Sequence, residues 1–325
     1  MAGCIAAQAA YKGNMAMAAS ERAVRGPPIA FAPGRWWERL LFHFAGWPMF
    51  VAGMRSLAAA PADLPSLARA NLQRDVAAKL LRHLRVRLDY RQLAPLPSTP
   101  HIIVSLHEGL ADVLCLLRLP LPMRFVARQE IFEWPRIGPA LARMRHIPIE
   151  PEHGIASYRA LISHARGALQ AGEHVVLFAQ GSLLGIETAF QSGAFHLART
   201  LRAPILPIVI TGTHRIWEHP FSPRVRYGQP VALLSLPAVC AEEVQRHTPD
   251  AIRLALQRRM KRVALSGRIP APRRFVPERD GFWDGFSFTI DADFPEACQT
   301  LHRHRIEMSN REYPPQDLPG PPGVH

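Results

Sequence analysis

Short apolar strands alternate with amphipathic helices through the middle of this chain, and that alternation limits its fold more than any other feature. The clearest strands are Ile102–Leu106, Val175–Ala179 and Ile205–Ile210. Apolar residues at helical spacing predict helices over 155–169 and 194–201. Such alternation is typical of an α/β domain with helices on the faces of a sheet. We therefore predict a central, mostly parallel sheet flanked by helices.

Further elements follow from the same kind of pattern. Pro207 is expected to split its strand, because proline has no N–H to donate. The remaining elements that we predict are strands at Phe125–Ala127 and Ile147–Ile149, a closing pair formed by Arg224–Tyr227 with Val231–Leu234, a basic helix over Glu242–Val263, and a small appended element within residues 282–310.

Composition and patterning divide the chain into four segments. The ends are Ala/Pro-rich and Pro/Arg-rich, which predicts disorder at both termini. In order, we predict a disordered N-terminal extension (1–35), a membrane-associated helical segment (36–92), an α/β domain (93–265) and a Pro/Arg-rich C-terminal extension with a disordered tail (266–325).

The second segment begins with an apolar run, Leu40–Met54, that follows Trp36 and Trp37. As a helix it would be roughly 22 Å long, short of the roughly 30 Å hydrocarbon core of a bilayer. A helix pair that dips into one leaflet fits this length, and a buried core helix is the alternative. Leucines and valine at four-residue spacing over 66–90 predict a basic amphipathic helix, either on a membrane or as a charged surface helix.

The formal charge of +13 favours anionic partners. Aromatic residues do not interleave with the basic ones, and no recognition-helix or zinc-finger spacing occurs, so nucleic acid is not expected. The sequence has no HExxH and its four cysteines are far apart, so we expect no metal ion and no cofactor.

A histidine stands directly after the strand Ile102–Leu106, where α/β sheets place functional groups. His107 is followed five residues later by Asp112, in the first turns of a predicted helix. The carboxylate can accept a proton from one imidazole nitrogen, which leaves the other nitrogen as a base for a hydroxyl. Taken alone, this spacing also fits a capping aspartate beside an unrelated histidine.

Glycine also follows the strand Val175–Ala179, in the run Gln180, Gly181, Ser182. Glycine lets the backbone approach a ligand closely, and N–H groups there can hold an oxyanion or a phosphate. An ordinary turn from strand to helix would have the same composition. Phe190–Ala198, with Gly193 inside it, predicts a helix lying close on the sheet.

In their order and spacing these segments resemble those of the glycerolipid acyltransferase family. That family is typified by 1-acylglycerol-3-phosphate acyltransferase and carries an HxxxxD motif. The segments that carry the resemblance are Leu106–Asp112, Phe125–Arg128 with Pro135–Gly138, Ile147–Glu150, Phe178–Ser182, Phe190–Ala198 and Pro204–Ile210.

The resemblance implies an O-acyltransferase in which His107 deprotonates an acceptor hydroxyl and Asp112 orients His107. It further implies that Gln180, Gly181 and Ser182 line the acceptor headgroup site. Arg128 is a further candidate binding residue, because Arg128, Arg145 or Arg159 could replace phosphate-binding arginines of the family that this chain lacks. Acyl-CoA or acyl carrier protein would be the co-substrate, and a lysolipid would be the acceptor. The protein would associate with an anionic membrane surface at the cytoplasmic face.

The chain departs from the family pattern around the headgroup motif. Gln180 stands where the family has Glu, and Leu183 and Pro151 stand where it has arginines. A lipid acyltransferase with an altered acceptor is therefore one hypothesis, and a catalytically impaired membrane-binding protein on the same fold is another. An acyl hydrolase is a third, disfavoured because no GxSxG is present.

Overall fold

The computed structural model describes residues 35–217, 225–276, 280 and 288–309, except for the side chains of 152 and 304–309. Backbone contacts group the described residues into two compact units. The larger unit holds 35–183 with 190–273, and the smaller one holds 184–189 with the described residues after 273. The predicted extension at 1–35, apart from Arg35, and the predicted tail lie outside the described residues.

The larger unit is built on a twisted sheet, and within the described residues this sheet has seven strands in the order β1-β7-β6-β2-β5-β3-β4. Strands β2 to β6 run parallel to one another, whereas β7 pairs antiparallel with β6 and parallel with β1. The predicted mostly parallel sheet is confirmed. The strands are β1 (Arg87–Gln92), β2 (Ile102–Ser105), β3 (Met123–Arg128), β4 (Ile147–Ile149), β5 (His174–Phe178), β6 (Ile205–Thr211) and β7 (Pro230–Ser235).

Helices cover the faces of this sheet, and buried apolar side chains of β2, β5 and β6 form the core beneath them. The helices of the larger unit are α1 (Trp36–Leu41), α2 (Trp47–Ala58), α3 (Ser66–His83), α4 (Ala111–Leu116), α5 (Gln129–Phe132), α6 (Gly138–Arg143), α7 (Gly154–Gln170), α8 (Gly193–Leu201), α9 (Ala241–Arg246) and α10 (Pro249–Ala264), with a π-helical turn at Phe42–Gly46 and 3-10 turns at Pro151–His153 and Thr213–Arg215.

Pro207 does not split β6, contrary to the prediction. Its carbonyl accepts a hydrogen bond from the Leu236 N–H at 3.0 Å, so its nitrogen also faces the β7 side. The ladder between β6 and β7 stops at the pair Ile208 and Ser235, one residue short of Pro207. The missing N–H therefore lies just past the end of the ladder, where no strand needs it.

The helix predicted over 66–90 is too long, because α3 ends at His83 and 87–92 form β1. Arg85 adopts a left-handed conformation (φ 53°) that reverses the chain after the helix. Strand β1 then pairs along its whole length with β7. Tertiary pairing has overridden the local helical periodicity.

Two predictions after β6 are wrong in part, although the predicted strand Val231–Leu234 is confirmed within β7. Val225 forms only an isolated bridge with Trp217 and does not pair with β7, and Arg224 lies outside the described residues. The helix predicted over 242–263 is two helices, α9 and α10. The break occurs where Thr248 caps α10 through its hydroxyl, which accepts the Ala251 N–H at 3.2 Å.

Helices α1 and α2 form one rod through the π-helical turn. In that turn the Trp47 N–H bonds to the Phe42 carbonyl five residues back. The next residue, Pro48, cannot donate, which explains why the regular pattern breaks here. Met54 and Leu57 bury one end of the rod in a cluster with α3 and α6. In the ranges that the structure describes, no helix has the length and apolarity needed to cross a membrane.

The smaller unit joins the loop 184–189 to residues near the C-terminus. Thr188 bridges Ile290 in antiparallel fashion, and the Glu187 carboxylate accepts the Phe275 N–H at 2.8 Å. The small appended element predicted within 282–310 contains a helix, α11 (Pro295–Ser309). The apolar cluster of this unit consists of Leu184, Phe275, Phe288, Ile290 and Leu301.

Candidate active site

The carboxyl ends of β2, β5, β3 and β6 meet at one edge of the sheet, because these strands are parallel neighbours. We call this the carboxyl edge. His107 follows β2 by two residues, Gln180 follows β5 by two, and Thr213 follows β6 by two. Residues from distant parts of the chain are thus placed together by strand geometry alone.

His107 and Asp112 are in direct contact. The His107 Nδ1 lies 2.7 Å from the Asp112 Oδ2, and the Asp112 side chain is fully buried, whereas the His107 side chain is 18% exposed. A carboxylate acceptor at Nδ1 requires the tautomer with its proton on Nδ1, which leaves a lone pair on Nε2. Within the described residues, Nε2 has no hydrogen-bond partner. The pair therefore presents a free base at the carboxyl edge.

The plane of the His107 ring is fixed by stacking. The ring lies on Phe178 at the end of β5, with centroids 3.8 Å apart and an interplanar angle of 11°. The His107 N–H donates to the Gln180 Oε1 at 2.8 Å, which fixes the backbone of the same residue. Both contacts orient the imidazole without occupying Nε2.

Asp112 accepts more hydrogen bonds than the one from His107. Its Oδ2 also accepts the N–H groups of Glu108 (2.7 Å) and Gly109 (3.1 Å), in the loop that leads into α4. The hydroxyl of Thr213 donates to its Oδ1. Four donors at a buried carboxylate hold it in one orientation.

Gln180, Gly181 and Ser182 lie at the carboxyl edge, as predicted from the sequence. Gln180 is buried, and its side-chain amide oxygen accepts the hydrogen bond from the His107 backbone N–H. Gly181 is exposed with a positive φ of 66°, a conformation that other L-residues rarely adopt. The Ser182 hydroxyl is buried and has no hydrogen-bond partner in the described part of the chain. Their role in binding a headgroup stays a prediction.

Arg128 ends β3 and so reaches the same edge. Its guanidinium forms a forked ion pair with Glu130, at 3.1 and 2.9 Å, and its side chain is 34% exposed. An ion pair this accessible is weak and can exchange Glu130 for another anion. The structure thus leaves its predicted role as a binding residue open to test.

Sequence reasoning missed Glu108 and Thr213. Glu108 is buried beside His107 and accepts the Gly212 N–H at 2.7 Å, the His214 Nδ1 at 3.0 Å and the Arg273 N–H at 3.1 Å. Burial raises the pKa of this carboxyl above its usual range, although the bond from His214 opposes that shift. A polar Thr-Gly-Thr run after the apolar strand β6 was the available signal for Thr213.

In the residues that the structure describes, no three His, Cys, Asp or Glu side chains are grouped so that they could bind a metal ion. Cys115 is buried next to Asp112 in α4, and burial raises the pKa of its thiol. A thiol held protonated in this way is a poor nucleophile.

Part of the chain matches a known family. Residues 87–211 match the family model described as Acyltransferase, which confirms over that segment the resemblance recognised in the motifs.

The individual relatives narrow the comparison to glycerolipid acylation. The chain is 27% identical to a 1-acyl-sn-glycerol-3-phosphate acyltransferase of Cocos nucifera over 41% of this chain and 46% of that protein. It is 31% identical to a chloroplastic 1-acyl-sn-glycerol-3-phosphate acyltransferase of Brassica napus over 40% of this chain and 39% of that protein. Each match thus spans less than half of the relative's own length.

A solved structure shares the fold. The 1-acyl-sn-glycerophosphate acyltransferase PlsC of Thermotoga maritima aligns with a TM-score of 0.55 at 17% identity, over 71% of this chain and 96% of that one. At this identity the likeness supports the architecture only.

Proposed function

We propose that this protein transfers a fatty acyl group from a thioester donor, acyl-CoA or acyl carrier protein, to a hydroxyl of a lysophospholipid or related lipid. The observation that carries the proposal is the His107–Asp112 pair, with Nδ1 engaged at 2.7 Å and Nε2 without a partner among the described residues. It lies in the segment that matches the acyltransferase family.

The chemistry needs one base and no covalent enzyme intermediate. Nε2 of His107 removes the proton of the acceptor hydroxyl while that oxygen attacks the thioester carbonyl. The carbon–sulfur bond then breaks, and the thiolate takes the proton back from the imidazolium. Asp112 stabilises the imidazolium and holds its tautomer. The products are the acylated lipid and a free thiol.

The acceptor is expected to differ from lysophosphatidic acid. The family holds a glycerol phosphate with arginines and a carboxylate, and Pro151, Leu183 and Gln180 occupy those positions here. Arginine–phosphate pairs are among the stronger polar contacts, so their loss weakens phosphate binding. In addition, the Gln180 side-chain oxygen is already engaged by the His107 backbone. A less charged or differently shaped headgroup therefore suits the site better.

The experiment is a panel of lysolipids at matched concentration with one acyl-CoA, with thiol release and lipid mass spectrometry as readouts. We expect transfer to at least one lysolipid, and a lower kcat/KM for lysophosphatidic acid than for the best acceptor. The highest kcat/KM for lysophosphatidic acid would mean that other arginines restore the phosphate site. Absence of transfer to every lysolipid would favour the impaired membrane-binding protein.

Association with the cytoplasmic face of an anionic membrane is part of the proposal. Trp36 and Phe44 are each 73% exposed on the rod formed by α1 and α2, and Leu40 is exposed between them. Exposed aromatic and aliphatic side chains beside Arg35 and Arg39 fit insertion into a headgroup layer. The far end of the rod packs into the domain, so this surface fits a peripheral attachment.

Surface substitutions test this attachment better than truncation, which would expose the buried Met54 and Leu57. The double variant Leu40→Ser, Phe44→Ser should bind anionic vesicles several-fold more weakly in flotation at high salt. Leu254→Ser, at a similarly exposed leucine on α10, is the matched control. Equal vesicle binding by the double variant and by Leu254→Ser would show that this surface does not attach the protein to the membrane.

A further inference from the structure

We propose that Thr213 is a positioning residue that fixes the carboxylate of Asp112 and, through it, the tautomer of His107. The inference rests on the proposed acyl transfer only for its kinetic effect, since the contact itself is structural. Thr213 lies 101 residues from Asp112 in sequence and comes from a different strand end.

The hydrogen bonds of Asp112 are divided unequally between its two oxygens. Oδ2 accepts the His107 Nδ1 and two backbone N–H groups, whereas Oδ1 accepts the Thr213 hydroxyl. Among the described residues, Thr213 is the sole side-chain donor to Oδ1. Both residues are fully inaccessible to solvent, so water cannot replace the hydroxyl without rearrangement. A buried charged oxygen without a donor is costly, and the carboxylate would rotate to share the donors at Oδ2.

The loop that carries His107 also fixes the backbone next to Thr213. The preceding residue, Gly212, has a positive φ of 96° and donates its N–H to the buried Glu108 at 2.7 Å. A Cβ at Gly212 would meet the Pro230 carbonyl oxygen at 2.4 Å, so only glycine fits this turn. Glu108 thus ties the turn after β6 to the loop after β2, and Thr213 follows one residue later.

The consequence for catalysis concerns orientation. His107 works as a base only while Nδ1 carries the proton and Nε2 faces the acceptor. When Nε2 takes a proton, the imidazolium needs the Asp112 carboxylate in the same orientation. Removing the donor to Oδ1 loosens the carboxylate, so the loss should fall on kcat and leave substrate binding unchanged.

The test compares three variants of similar size. Thr213→Val removes the hydroxyl and keeps the volume, and Thr213→Ser restores the hydroxyl. Thr211→Val is the matched control, because Thr211 is equally buried at the end of β6 and its hydroxyl has no hydrogen-bond partner in the described ranges. Thermal unfolding of each variant shows whether it is folded.

For Thr213→Val we expect kcat to fall about tenfold or more, part of the hundred- to ten-thousand-fold effect of a general base, with KM for donor and acceptor changed by less than about twofold. Thr213→Ser should recover most of the rate, and Thr211→Val should match the unsubstituted protein. Equal kcat values for Thr213→Val and Thr211→Val in folded proteins would overturn the proposal.

A second readout does not depend on activity. In protein labelled with 15N-histidine, the two-bond couplings of the His107 ring report its tautomer, and a His107→Gln variant assigns the signals. The Nδ1–H form should predominate in the unsubstituted protein and lose population in Thr213→Val. An unchanged tautomer would overturn the positioning role, whereas a changed tautomer without any acyl transfer would leave that role intact and reject the proposed function.

Discussion

Two buried polar clusters lie at opposite edges of the same sheet and use the same residue types differently. The carboxyl-edge cluster consists of His107, Glu108, Asp112, Thr213 and His214. The amino-edge cluster, at the starts of β3, β4 and β5, consists of Arg69, Arg124, His146, Glu173 and His174.

The amino-edge cluster is closed. Glu173 receives Arg69 and the Ser66 hydroxyl (2.7 Å) on one oxygen and Arg124 on the other, and its side chain is 2% exposed. Burial alone would raise the pKa of Glu173, but the bonds from Arg69 and Ser66 and the charges of Arg124 and Arg69 together lower that pKa. Both oxygens of this carboxylate are engaged by protein donors, and it connects α3 to the sheet.

The histidines of the two clusters show the difference most clearly. His146 and His174 each use Nδ1 to accept a backbone N–H, from Phe125 at 3.1 Å and from His101 at 3.2 Å. Burial lowers the pKa of both to about 4, so both are neutral structural acceptors. His107 instead donates from Nδ1, its Nε2 has no partner among the described residues, and its side chain is partly exposed. The difference teaches that the use of Nδ1, together with access to Nε2, decides whether a buried histidine can act chemically.

Glu173→Ala gives the largest expected effect. It leaves two arginines buried without a counter-charge, which typically costs about 3–5 kcal/mol of unfolding free energy. Because the cluster lies away from the carboxyl edge, kcat per folded molecule should stay the same. Urea unfolding and thiol release measure the two quantities. A fall in kcat with unchanged stability would break the comparison, since it would place Glu173 in the chemistry.

Acid should also weaken the fold through the amino-edge histidines. Unfolded histidines take protons near pH 6.5, whereas His146 takes one only near pH 4. The unfolded state therefore binds more protons between these values, and the unfolding free energy falls as the pH drops from 6.5 to 4. For one such histidine the loss is at most roughly 3 kcal/mol.

The pH dependence has a direct check. His146→Gln keeps an oxygen that can accept the Phe125 N–H but does not titrate, so unfolding free energy measured from pH 7 to 4 should fall less steeply. His247→Gln, at an exposed histidine, is the control and should keep the original slope. Identical slopes for both variants would show that His146 is not the group responsible.

Arg128→Ala gives the smallest expected effect on the fold and sharpens the contrast between exposed and buried ion pairs. Its exposed pair with Glu130 should contribute less than about 1 kcal/mol to stability. If Arg128 binds an anionic acceptor, Arg128→Ala should raise the KM for that acceptor about tenfold and leave kcat unchanged. Glu130→Ala is the control, since it keeps Arg128, and its KM should stay equal or fall. No change in KM for Arg128→Ala would remove Arg128 from the binding residues.

The sequence predicted the contact between His107 and Asp112, which are near in the chain, and missed the contact between Asp112 and Thr213, which are far apart. His107 and Asp112 are five residues apart and follow a clear strand, so their contact was predictable from spacing and chain geometry. Thr213 reaches Asp112 only because β6 is the neighbour of β2, and no periodicity encodes strand order. For the same reason the helical pattern over 66–90 wrongly predicted a helix at 87–90, because these residues pair with β7 in the folded chain.

The amino-edge cluster shows a second limit. Arg69 lies in the basic amphipathic helix predicted over 66–90, yet it is buried against Glu173, 104 residues away. Helical periodicity indicates which residues share a face, but not which long side chains reach a buried partner. Charged residues that meet only in the folded state therefore cannot be found from a single sequence.

The most direct measurement of the central claim is the rate of thiol release by His107→Ala with the best acceptor in the lysolipid panel. Three other donors still hold the Asp112 carboxylate without His107, so the variant is expected to fold, and thermal unfolding checks this. Loss of the base should lower kcat by roughly a hundred- to ten-thousand-fold. A folded His107→Ala protein that retains a near-normal kcat would contradict the account, because the carboxyl-edge cluster would then be as structural as its counterpart at the amino edge.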